Sequence, residues 1–92
     1  MKPIRFSNHA KLQMELRGAS ESEVTAAIKS GNWVPAKMAK SKTRLRFDFN
    51  KPAPTNQKLY KYKTVEPIFA DEAEEVVVIT VKVYYSNEEV NT

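Results

Sequence analysis

SNHAKLQMELRGASESEVTAAIKSG, residues 7–31, decides the layout of the chain. Ser7 is a strong N-cap, because its hydroxyl can accept from the free amides of a first helical turn. Gly18 supplies the left-handed residue that ends that helix. A second helix follows at once. Ser20 and Glu23 form a capping box, Val24, Ala27 and Ile28 make an apolar stripe, and Gly31 closes it. The short link makes the pair an αα-hairpin. Within the first helix His9, Gln13 and Arg17 stand four apart in a polar row, with Leu12 and Leu16 on one side and Ala10 and Met14 on the other. This row predicts a hydrogen-bonded spine that pins the helix to its neighbours. The Arg17 guanidinium then needs strand or loop carbonyls, or Glu23, as acceptors. His9 at the end of the row is placed to reach an adjoining groove.

Outside the hairpin the apolar period changes from 3.6 to 2. PIRF (3–6) reads as a short first strand. NWVPAKMAK (32–40) begins a strand whose Pro35 marks an edge or an irregular entry. TRLRFDF (43–49) alternates, with Leu45, Phe47 and Phe49 on one face and Arg44, Arg46 and Asp48 on the other. NKPAPTNQ (50–57) is a turn. KLYKYKTVEPIFA (58–70) is a strand interrupted near Pro67, and ADEAEE (70–75) is an acidic turn. EVVVITVKVYYS (75–86) is the most apolar strand and is expected to be central, since both faces are apolar at its start. The tail at 87–92 is expected to fray. The order is therefore β-α-α-β-β-β, an α+β fold whose two-helix hairpin packs on one face of an antiparallel sheet.

Two helices cover one sheet face and leave the other open. If Val77, Ile79, Val81 and Val83 point toward the helices, Thr80, Lys82 and Tyr84 point away. By the same alternation Arg44 and Arg46 point out, and Lys61 and Lys63 are candidates to join them. Composition favours such a face. The net charge is +4, yet residues 37–63 hold nine Lys/Arg against Asp48 alone, whereas residues 64–92 hold Lys82 against seven acids. Like charges gathered in this way raise the local potential toward an anion.

Ninety-two residues, 41% apolar and 28% charged, make one ordinary domain spanning residues 1–92. Without cysteine there is no disulfide, thiolate metal site or cysteine nucleophile, which fits a reducing cytoplasm. MKPIRF has no apolar h-region of a signal peptide. No apolar run approaches the roughly 18 residues of a membrane span. A single histidine excludes a two-histidine metal site, both glycines serve as helix stops rather than a phosphate loop, and no cofactor is expected. The chemistry that remains needs only positive charge and one or two proton carriers. Metal-independent RNA cleavage is such a reaction, because the ribose 2′-hydroxyl supplies its own nucleophile and the protein holds the phosphate and moves protons. Trp33 reads as a plug between helix and strand.

The run Phe6-Ser7-x-His9-Ala10, Met14-x-x-Arg17-Gly18-x-Ser20-x-x-Glu23-Val24, followed by a basic strand and a terminal VITV strand, resembles a bacterial family of small proteins grouped with the RelE/ParE-type toxins. That resemblance covers most of the chain. It implies two helices on an antiparallel sheet, metal-independent cleavage of free or ribosome-bound mRNA, and a small antitoxin partner on the basic face. Carried over by position, it reaches only Arg44, Arg46, Lys82 and Tyr84; with His9 from the polar row and Lys61 and Lys63 from strand alternation, the candidate catalytic residues are His9, Arg46, Lys82 and Tyr84 and the candidate phosphate contacts Arg44, Lys61 and Lys63. Gln13 and Arg17 are structural. The proline-containing hairpin at 50–57 and the acidic turn depart from the family pattern. Two other readings stay open: a non-catalytic module binding RNA, DNA or an acidic protein, and a chain that keeps the fold alone.

Overall fold

A computed structural model describes residues 2–87; the expected fraying falls, beyond Asn87, outside that range. The chain runs β1 (Ile4–Phe6), α1 (Asn8–Arg17), α2 (Glu21–Lys29), β2 (Val34–Pro35), β3 (Ser41–Lys42), β4 (Leu45–Pro52), β5 (Leu59–Asp71) and β6 (Val76–Ser86). Both helices begin where their caps dictate. Ser7 Oγ accepts from the Ala10 amide at 3.0 Å, and the Ser20–Glu23 capping box closes with both of its hydrogen bonds. Gly18 ends α1 at φ +84°, with its amide donating to the Met14 carbonyl at 2.8 Å. A side chain there would also collide, since an added Cβ would lie 2.7 Å from both Pro54 Cγ and Tyr85 Oη.

The helices pack against a mixed six-stranded sheet of order β1-β6-β5-β3-β2, with β4 beside β5. This corrects the expected all-antiparallel sheet of consecutive hairpins. The β1 strand skips to the far end of the chain and pairs parallel with β6, Ile4 opposite Val76 and Phe6 opposite Val78. That site lets Ile4 and Phe6 pack on the core, which is built from Ala10, Met14, Val24, Ile28, Val65, Phe69, Val76, Val78 and Val81. The expected strand after α2 is reduced to the two-residue pair β2–β3. Trp33 plugs its entry, donating from Nε1 to the Ile28 carbonyl at 2.8 Å and meeting Phe69 edge to face at 4.8 Å.

Pro67 does not interrupt β5. The partners of β5 on that side change there, from β4 over residues 59–65 to β3 at residues 68 and 69. Pro67 therefore falls where no ladder needs its missing amide, and its carbonyl accepts from the Thr43 amide.

One bulge in β6 sets which side chains face which way. Ile68 pairs with Thr80 and Phe69 with Val78, so Ile79 is an extra residue. Val76 and Val78 point to the helices before it, and Val81 and Val83 after it. The expected inward pair Val77 and Ile79 is thus corrected to Val76 and Val78, while Lys82 and Tyr84 still point away. An unbroken strand could not satisfy both, because side chains alternate strictly. Ser7 holds the bulge from the helix side, its amide donating to the Val78 carbonyl and its hydroxyl to the Ile79 carbonyl, both at 3.0 Å.

The polar row of α1 now has its explanation. Ala10 and Met14 are buried, whereas Leu12 and Leu16 are exposed, so the row borders the buried stripe instead of dividing an apolar face. Beyond Val78, β6 has no β1 beside it. Arg17 fills that gap, donating from Nη1 to the Val81 carbonyl at 2.9 Å, and the Tyr85 hydroxyl donates to the Arg17 carbonyl. No helix among the described residues is long and apolar enough to cross a membrane.

Candidate functional site

The sheet face that no element covers among the described residues collects side chains from three strands. Directly opposed residues on antiparallel strands share a face, so register decides its membership. Thr64 lies opposite Arg46 on one side and Tyr84 on the other. Glu66 lies opposite Lys82, and Tyr62 opposite Asp48. Arg44, Arg46, Lys82 and Tyr84 thus stand together on the face that alternation assigned them. Two arginines lie over tyrosine rings, Arg44 at 5.4 Å from the Tyr84 centroid and Arg46 at 4.7 Å from that of Tyr62.

Glu66 is the centre of this group, and the sequence reading passed over it. Although its face is open, Glu66 is only 3% exposed. Arg44 Nε donates to its Oε1 at 2.9 Å, and the Tyr84 hydroxyl approaches its Oε2 at 3.4 Å. The Arg44 side chain remains half exposed and Tyr84 is 45% exposed, so both can meet a ligand while holding the carboxylate. A carboxylate desolvated on an accessible surface is costly unless its oxygens are paired, and here a cation and a phenol pair them. Burial and the neighbouring Glu66 push the Tyr84 hydroxyl above its ordinary value, against a smaller pull from Arg44. Tyr84 therefore keeps its proton near neutral pH and is equipped to donate it.

Three candidate residues lie apart from this group. Lys63, expected as a phosphate contact, is a correction: it sits opposite Phe47 on the helix face and is buried. Its Nζ donates to Glu23 at 2.8 Å and to the Gly18 carbonyl at 2.9 Å, tying β5 to the turn between the helices. Lys61 is exposed beside the irregular end of the β4–β5 ladder, where its amide donates to Asn87 Oδ1. His9 is exposed on α1, in the layer that covers the other face. Among the described residues no hydrogen bond or ion pair joins it to Arg44, Glu66 or Tyr84.

The acidic turn also faces elsewhere. Asp71 pairs with Lys2, and Glu75 takes a two-pronged contact from Arg5 at 3.1 and 3.2 Å. These carboxylates are drawn to β1, five or more residues along β5 and β6 from the Glu66–Lys82 pair, so the acids that meet the cationic cluster are Glu66 and Asp48 and not those of the turn.

Glu66 did have a signal in the sequence. It is a lone carboxylate between Val65 and Pro67 in an otherwise apolar stretch, as Lys82 is a lone cation between Val81 and Val83. No protein-family model, curated protein or solved structure matches the chain, so its functional reading rests on the geometry of this face.

Proposed function

We propose that the uncovered face binds single-stranded RNA and cleaves it without a metal, as a toxin-like endoribonuclease of RelE/ParE type. The observation that carries this is the buried Glu66 held between Arg44 and Tyr84 and opposite Lys82. Arg44, Arg46 and Lys82 bind the scissile phosphate and offset charge on the five-coordinate phosphorus. Glu66 takes the proton of the attacking 2′-hydroxyl as the 2′-oxygen–phosphorus bond forms. The phosphorus–5′-oxygen bond breaks, and Tyr84 gives its proton to the leaving oxygen. The products are a 2′,3′-cyclic phosphate and a 5′-hydroxyl. Direct transfer from Glu66 to Tyr84 then restores both groups. Tyr62, beneath Arg46, offers a ring on which a base can stack. His9 has no part in this scheme. In a toxin–antitoxin pair, a small acidic antitoxin would silence the protein by covering this face.

The test is incubation with single-stranded RNA in excess chelator, on naked RNA and on mRNA-programmed ribosomes, with product ends identified. Glu66→Gln is expected to slow cleavage by about 10²-fold or more while RNA affinity holds or rises, because Arg44 is released. An oligonucleotide lacking 2′-hydroxyls is expected to bind and stay intact. Salt-dependent binding with no product in either arm would establish a binding module instead.

A further inference from the structure

The β4 strand is flanked on one side only: among the described residues it pairs with β5 and with no other strand. Its outward-pointing backbone can be identified from the register. In a regular strand the N–H and C=O of one residue point to the same side, and successive residues alternate. Pro67 turns its carbonyl to Thr43, on the β3–β4 side of β5, so Val65 and Lys63 turn the same way. They lie opposite Leu45 and Phe47, which makes these the hydrogen-bonded pairs. Arg46 and Asp48 therefore direct their backbone groups to the outer edge.

Along that edge the sequence Leu45-Arg46-Phe47-Asp48-Phe49 is complementary to itself. Turned end for end about Phe47, it places Arg46 against Asp48, Asp48 against Arg46 and Leu45 against Phe49. The geometry points to a second copy of this chain docking edge to edge along β4, antiparallel, across a two-fold axis through Phe47. Arg46 of each copy then exchanges both backbone hydrogen bonds with Asp48 of the other, and the two side chains meet as opposite charges on the open face. Charge selects this register over its neighbours. With the axis at Arg46 two arginines face each other, and with the axis at Asp48 two aspartates do. An axis between residues pairs outward backbone groups with inward ones.

The same strand limits the assembly. The bulge after Asp48 and the proline at position 52 confine pairing to about five residues, and a two-fold contact uses the edge of both copies at once, so it closes at two. A ladder this short belongs to the small class of interfaces, and self-association is accordingly concentration-dependent. The two open faces become one surface carrying the Arg44–Glu66–Tyr84 group twice. This pairing does not depend on what that surface binds.

Sedimentation velocity of the full chain, from low micromolar to near-millimolar concentration, tests it. The wild type is expected to pass from monomer to dimer, with the Asp48 amide gaining hydrogen-exchange protection as it does. Asp48→Arg sets two like-charged pairs across the axis and is expected to weaken association at least about ten-fold, with unchanged circular dichroism. The exchange Arg46→Asp with Asp48→Arg restores complementarity and is expected to recover the dimer. A wild type that stays monomeric throughout, an Asp48→Arg protein that dimerises as well as wild type, or a folded double variant that fails to recover, overturns the proposal.

Discussion

Replacing Lys63 by Met removes a cation from the helix side of the sheet and leaves the chain's apolar stem in place. The magnitude follows from what the ammonium touches. Its side chain is 7% exposed and the facing Glu23 side chain 22%, and a second contact is made to the Gly18 carbonyl at 2.9 Å. Breaking a fully buried ion pair from one side costs about 3–5 kcal/mol. Glu23 keeps some water and its bond from the Ser20 amide, so the expected loss is smaller, about 2–3 kcal/mol. For a domain of this length that lowers Tm by about 10–20 °C. In Lys63→Met with Glu23→Gln the stranded charge is gone, and about 1 kcal/mol or more should return. Urea titration of the four proteins gives the coupling directly. RNA affinity at a temperature where all are folded should not change. A loss below about 0.5 kcal/mol, or weakened RNA binding with stability intact, would refute the assignment of Lys63 to the helix–sheet junction.

The remaining predictions concern the same junction. Burial by itself would raise the Glu23 carboxyl, but hydrogen bonds from Lys63 and from Ser20 hold it below its ordinary value. A depressed carboxylate stabilises the fold above its unfolded value of about 4.3. Stability is therefore expected to fall as pH drops from there through the lower folded value, and acid titration of Lys63→Met should lack this loss. At the alkaline end, burial and Glu23 raise the Tyr85 hydroxyl, so stability falls again as pH climbs through about 10 and above. Gly18→Ala meets both the positive φ and the clash with Pro54 and Tyr85, and should cost ~2–3 kcal/mol in chemical unfolding.

What could be read in the sequence divides along the range of the interactions. The helix boundaries were legible because caps act within a few residues: Ser7, Gly18 and the Ser20–Glu23 box work in the fold as they do on the page. The placement of Arg44 and Arg46 was legible from strict alternation in β4. Lys82 and Tyr84 also fell on the expected side, with Val81 and Val83 opposite them, but the expected inward pair Val77 and Ile79 was one residue out of phase with Val76 and Val78 because Ile79 bulges. Nothing local marks that bulge, which answers to Ser7, 72 residues away. Lys63 went to the wrong face because alternation does not say which set of a strand is inward; only its pairing with Phe47 does. The parallel pairing of β1 with β6 is likewise a long-range choice. Glu66 was not legible for another reason: a run of cations marks an anion-facing surface directly, whereas the carboxylate buried among them shows its role only once β4, β5 and β6 are in register.

The central claim is that the ligand surface is the open face around Glu66 and not the helix layer. Titrating the amide-assigned protein with a short single-stranded RNA in the presence of chelator tests it most directly, by amide chemical-shift mapping. Shifts concentrated at residues 44–48, 62–66 and 80–84, with α1 and α2 quiet and the effect weakening as salt rises, are the predicted result. Shifts centred on the helices, or none at concentrations where a basic face must bind, would contradict the account.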